Sequence, residues 1–93
     1  MTQERNEVEV ARGRAAELLM ENDTFREVMN GLDAQYHAAW RLAKTVEARE
    51  DCHRYVCLVE RFLADIKAIA DNGQFAAQRL KELSGKRLIQ WPR

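Results

Sequence analysis

An excess of charge of either sign is missing from this chain. Its 93 residues carry fifteen Lys and Arg against fifteen Asp and Glu, a formal net charge of zero. A protein that holds nucleic acid through its overall field carries a clear positive excess, so only a local basic patch is left to such a reading. Neutrality also removes the repulsion that keeps copies of a protein apart, and so favours self-association. Long apolar runs are missing as well. No stretch approaches the roughly 20 residues that cross a bilayer, and no membrane partner is expected. Residues 1–7, Met-Thr-Gln-Glu-Arg-Asn-Glu, are polar and contain nothing like a secretory h-region. Cysteine is scarce. Cys52 and Cys57 sit five apart, about 500° of helical rotation, which puts them on different faces of one predicted helix. That placement disfavours a bridge between them, and the expected setting is cytoplasmic with free thiols.

What the chain has in abundance is helical periodicity. Ala48, Cys52, Tyr55, Val59, Phe62, Ile66 and Ile69 recur in steps of four and three, and Val56, Leu63 and Ala70 widen the seam. The spacing predicts a helix over 46–71 that closes at Asn72-Gly73, a pair suited to the left-handed end of a helix. A first helix is expected over 4–21, with Val8, Ala11, Ala15, Leu18 and Leu19 as its inner stripe and Gly13 as a weak point. Asn22-Asp23-Thr24 breaks it from a second helix over 25–44. Asp23 or Thr24 is the expected cap, and Thr24 with Glu27 has the form of a capping box. The second helix places Phe25, Val28, Met29, Leu32, Tyr36, Ala39, Trp40 and Ala43 at apolar positions, while Gly31 either admits a close neighbour or softens the helix.

The connection over 45–48 contains neither Gly nor Pro. It reads either as a tight turn capped by Thr45 or as one helix continuing through. A turn lets both apolar faces bury against each other and is favoured, since very long single helices are unusual in small domains. A short fourth helix is expected over 74–83, with Phe75, Ala76, Leu80 and Leu83 inward and Ser84-Gly85 as its stop. The expected architecture is all-α: a long antiparallel helical hairpin with a flanking N-terminal helix and a short C-terminal helix. Residues 1–85 form one domain, followed by a basic and apolar tail over 86–93.

Chemistry-bearing groupings are few. His53 lies near Cys52, Cys57, Glu50 and Asp51, but these spacings do not converge on a metal as C-x2-C or H-x3-H do. Cys52 falls on the inner seam as a small apolar residue, and His37 reads as a surface or boundary histidine rather than a ligand. The charges Glu47, Arg49, Glu50, Asp51 and Arg54 suit a helix start, with Glu50 and Arg54 at i and i+4. With no nucleophile–base pair and no Gly-rich phosphate loop, neither catalysis, nor a cofactor, nor a metal site is expected. Tyr36, Trp40, Tyr55 and Phe62 stand on facing stripes and read as core or subunit interface. In the tail, Leu88, Ile89 and Trp91 cannot bury themselves within so short a segment. They dock on the hairpin or on a partner, or accompany Lys86, Arg87 and Arg93 onto phosphates.

Several local patterns occur together: Arg14-Ala15-Ala16-Glu17-Leu18-Leu19 before a helix break, Ala39-Trp40, Ala48-Arg49-Glu50, Asn72-Gly73 and Phe75-Ala76-Ala77. In this punctuation the chain resembles a group of small helical proteins encoded in tailed-phage and prophage genomes, over most of residues 12–83. The resemblance implies a viral context, in the bacterial cytoplasm or on the virion, and a role in association with structural or packaging proteins. It carries no functional residues with it.

The seam of the third helix is wider than one partner helix covers, so a homo-oligomer is expected. Tyr55, Phe62, Leu88, Ile89 and Trp91 are the candidate partner-binding residues. The alternative is a small nucleic-acid-binding regulator using Arg12, Arg14, Lys86 and Arg87.

Overall fold

A computed structural model describes the chain from residue 2 to residue 90, and its side-chain surroundings over 3–85. The fold is all-helical: α1 (Thr2–Glu21), α2 (Asp23–Leu42) and α3 (Val46–Gln90), with no strand among the described residues. The chain divides into two compact units, Met1–Leu18 with Lys67–Arg93, and Leu19–Ile66. α3 supplies helix to both.

Local capping sets the breaks. Asn22 separates α1 from α2 with extended backbone (φ −67, ψ 123), and its side chain accepts a hydrogen bond from the Phe25 N–H at 2.9 Å. The cap is therefore Asn22, not Asp23 or Thr24. Asp23 falls in the first turn, where a carboxylate faces the positive end of the helix, and the Thr24–Glu27 box does not form the cap. α2 ends against Ala43, which is again extended (φ −64, ψ 130). Thr45 then caps α3, its hydroxyl accepting from the Ala48 N–H at 3.0 Å. A turn, not a continuous helix, joins α2 to α3.

Further along, the expected stops fail. α3 passes through Asn72-Gly73 and through Ser84-Gly85, so no separate fourth helix exists and residues 86–90 continue α3. Among the described residues no glycine has positive φ, so neither Gly73 nor Gly85 closes a helix. Gly73 has a packing role instead. In the unit formed by Met1–Leu18 and Lys67–Arg93, a Cβ on Gly13 would lie 2.6 Å from the Gly73 Cα, and one on Gly73 would lie 2.6 Å from the Gly13 Cα. The two backbones approach so closely that neither position has room for a methyl group.

Polar contacts extend this pairing. Gln74 Nε2 donates to Glu17 Oε2 at 2.8 Å, while Arg79 donates from Nε to Asn6 Oδ1 and from a guanidinium N–H to Glu9 Oε2, both at 3.1 Å. Residue 6 thus meets residue 79, and residue 13 meets residues 73 and 69, so α1 and this half of α3 run antiparallel.

Close approach also reverses the expected face of α1. Asn6, Gly13 and Ala16 are buried, and Ala70, Gly73 and Ala76 lie opposite as the buried residues that α3 gives to this unit. The expected inner stripe is exposed throughout: Val8 at 59%, Leu18 at 69%, Leu19 at 41%, and both Ala11 and Ala15. Where glycine meets glycine there is no room for a branched side chain, and Val8, Leu18 and Leu19 turn outward, while Val10, Ile69 and Leu80 are half-buried beside the contact. Phe75 and Leu83 are exposed for the same reason, although Ala76 and Leu80 do face inward.

These two kinds of glycine predict opposite effects. Gly13→Ala or Gly73→Ala is expected to destabilise the fold by about 1–3 kcal/mol through overpacking. Gly31, on α2, has nothing within 4 Å of the place a methyl group would occupy; it merely softens the helix. Gly31→Ala should therefore stabilise by up to about 1 kcal/mol through helix propensity. Denaturant unfolding followed by circular dichroism checks both signs.

Candidate association surface

Within Leu19–Ile66, α2 packs on the first half of α3 through larger side chains. Met29, Val56 and Val59 are buried, and Phe25, Leu32, Tyr36, Trp40, Ala48, Cys52, Leu63 and Ile66 are half-buried. The Tyr36 and Tyr55 rings lie 5.1 Å apart with a 31° tilt, and Trp40 lies 4.9 Å from the His53 ring. Such tilted aromatic pairs add about 0.5–1.5 kcal/mol beyond the area they bury. The centre of the α3 seam runs through Val56, Val59 and Leu63. Tyr55 and Phe62, placed by their spacing on the same inner seam, are 48% and 51% exposed.

That displacement opens an apolar groove of about 260 Å³. α2 contributes Met29, Leu32 and Tyr36 to it; α3 contributes Tyr55, Leu58 and Phe62, with Val59 below. Leu58 is the residue that the periodicity missed. It is 66% exposed and stands one step outside the main seam. Its signal was nevertheless present: Tyr55, Leu58 and Phe62 recur at three and four, a second narrower stripe beside the first. Val28 and Leu42, also exposed on α2 at 53% and 77%, add to the unpartnered apolar surface of this unit.

A second hollow, of about 270 Å³, is lined by Trp40, Val46, Arg49, Glu50 and His53. Two imidazoles lie near the Trp40 ring, His37 at 6.2 Å and His53 at 4.9 Å. His37 lies 3.4 Å from the Asp33 carboxylate, and His53 Nε2 lies 3.6 Å from the Cys57 Sγ. Both cysteines are free; Cys52 is half-buried and Cys57 exposed. Among the described residues no group of three His, Cys, Asp or Glu side chains is gathered so as to hold a metal ion.

The charged start of α3 is solvated. Arg54 reaches Asp51 at 2.9 Å and Glu50 only at 3.9 Å, so its better partner is three residues away. Exposed pairs of this kind contribute a few tenths of a kcal/mol.

Of the candidate partner-binding residues, the structure brings Tyr55 and Phe62 into one groove. The side chains of Leu88 and Ile89, and Trp91 altogether, lie outside the described residues. Of the basic residues singled out, Arg12 and Arg14 are both exposed on α1. At i and i+2 they point to nearly opposite sides of the helix and do not form one patch. The side chains of Lys86 and Arg87 lie outside the described residues.

No described helix is long and apolar enough to cross a membrane. No family model, curated protein or solved structure matches the chain.

The burial difference between the two thiols is directly testable. In the native protein Cys57 should react with a chromogenic disulfide reagent much faster than Cys52. Cys57→Ser should abolish the fast phase and leave the slow one; two equally fast thiols would contradict this placement.

Proposed function

We propose that this chain is a helical assembly accessory protein, of the kind that tailed phages and prophages encode. In this reading it acts in the host cytoplasm or on the virion by helix–helix association, with itself and with a structural or packaging protein. It is a binding protein and not an enzyme. The working element is an antiparallel hairpin of α2 and the first half of α3. Support for the hairpin comes from the order of its contacts: residue 36 on residue 55, then residue 40 on residue 53.

The observation that carries the reading is the apolar groove bounded by Leu32, Tyr36, Tyr55, Leu58 and Phe62. Contiguous apolar and aromatic surface is the composition of a buried interface core. Zero net charge lets copies approach without long-range repulsion. A nucleic-acid role draws less support, because Arg12 and Arg14 diverge around α1. Sedimentation at micromolar concentration is expected to give a mass above the 10.8 kDa of one chain. The unfolding midpoint should also rise with protein concentration. A chain that stays monomeric, with a midpoint independent of concentration, would sink the proposal.

A further inference from the structure

We propose that His53 and Cys57 form a metal site on α3, holding one zinc-class divalent ion between the imidazole Nε2 and the thiolate Sγ. The site is independent of the association reading above and stands or falls apart from it.

Geometry is the first support. Judged against Cys52, Cys57 converges on nothing, because five residues turn it to another face of the helix. Against His53 it lies four residues on. That i, i+4 spacing sets two zinc-binding histidines on one helix face, here with sulfur in place of one imidazole. The distance agrees. His53 Nε2 and Cys57 Sγ are 3.6 Å apart. A tetrahedral zinc ion takes sulfur at about 2.3 Å and nitrogen at about 2.0–2.1 Å, which sets those two atoms about 3.5 Å apart. Neither side chain has to leave its place to share an ion.

The surroundings are the second support. The Trp40 ring lies 4.9 Å from that of His53, and this packing steadies the imidazole while its Nε2 faces the sulfur. Both side chains are exposed, so an ion reaches them directly from solvent. Among the described residues no third ligand of this kind is gathered there, and water completes the coordination. Glu50, three residues before His53, and Glu60, three residues after Cys57, fall on the same face and add negative potential around a cation. Of the nearby guanidiniums, Arg54 is engaged by Asp51 at 2.9 Å and Arg61 by Asp65 at 3.0 Å. Arg49 alone is outweighed by the two glutamates. The donors also select the ion: thiolate and imidazole suit zinc, whereas magnesium and calcium prefer oxygen. On binding, the S–H bond breaks, its proton passes to solvent, and a sulfur–zinc bond forms.

Cobalt(II) spectroscopy on the reduced full chain tests the site, and zinc protection of the thiols checks it independently. Cobalt(II) should give a thiolate-to-cobalt charge-transfer band that saturates at one ion per chain and persists in excess magnesium. Cys57→Ser should abolish the band, and Cys52→Ser should keep it. His53→Phe keeps a ring against Trp40 but removes both nitrogens. It should weaken cobalt binding by more than about tenfold, since even groups that only orient a ligand cost about 10–100-fold when lost. In the wild-type chain, excess zinc should slow the fast reaction of Cys57 with a chromogenic disulfide reagent, and excess magnesium should not. That measurement needs no variant, so a folding defect cannot hide its result. A wild-type chain with no charge-transfer band, or with Cys57 equally fast in zinc, overturns the site. So does equal cobalt affinity in His53→Phe, which would leave Cys57 acting alone, or loss of the band in Cys52→Ser.

Discussion

The contact between Gly13 and Gly73 is the constraint from which the rest of the first unit follows. A methyl group at either position would meet the other glycine's Cα at 2.6 Å, so the two backbones are nearly in contact. Helices this close accept only small side chains along the shared seam, here Ala16, Ala70 and Ala76. The same constraint keeps α3 helical through a dipeptide that otherwise favours termination. Gly73 is held in helical geometry by what it touches, and its capacity for the left-handed conformation goes unused. The larger apolar residues of α1, Val8 and Leu18, are left outside because the seam cannot admit them.

The unit of Leu19–Ile66 meets the same requirement in the opposite way. α2 and α3 stand apart by the thickness of aromatic and branched side chains, with Tyr36 on Tyr55 and Trp40 on His53. Two helices with large residues between them cannot enclose every apolar side chain, because within this unit each helix has a single neighbour. The unenclosed residues gather on one side as the groove of Tyr55, Leu58 and Phe62. An association function, as proposed, would make use of the surface that two-helix packing cannot cover.

Much of this is legible from the residues, and the misses share one cause. The break at residue 22, the turn at Thr45 and the apolar content of α2 are local matters of capping and period, and all three are present. The expected placement of Tyr55 and Phe62 on the inner seam is off by part of a turn. Val56 and Leu63 occupy the inner line that the wide stripe leaves ambiguous. Leu58 escapes notice because a leucine beside a dominant seam adds little to a periodicity set by its neighbours. The groove residues can be nominated in part, but not assembled, since the groove needs α2 and α3 in register.

The sequence alone determined that the chain is helical, where the first two helices are interrupted, and that its charge is balanced. Such properties depend on neighbours within a turn or on composition, so they survive without knowledge of tertiary contacts. Only the tertiary structure decided which stripe of α1 faces inward, that α3 continues past Gly73, and which aromatic residues reach solvent. Those outcomes depend on the distance between helices, and that distance is set jointly by residues on two different helices, as Gly13 and Gly73 show. A stripe of valine and leucine marks a face as apolar; the partner helix determines whether there is room for it.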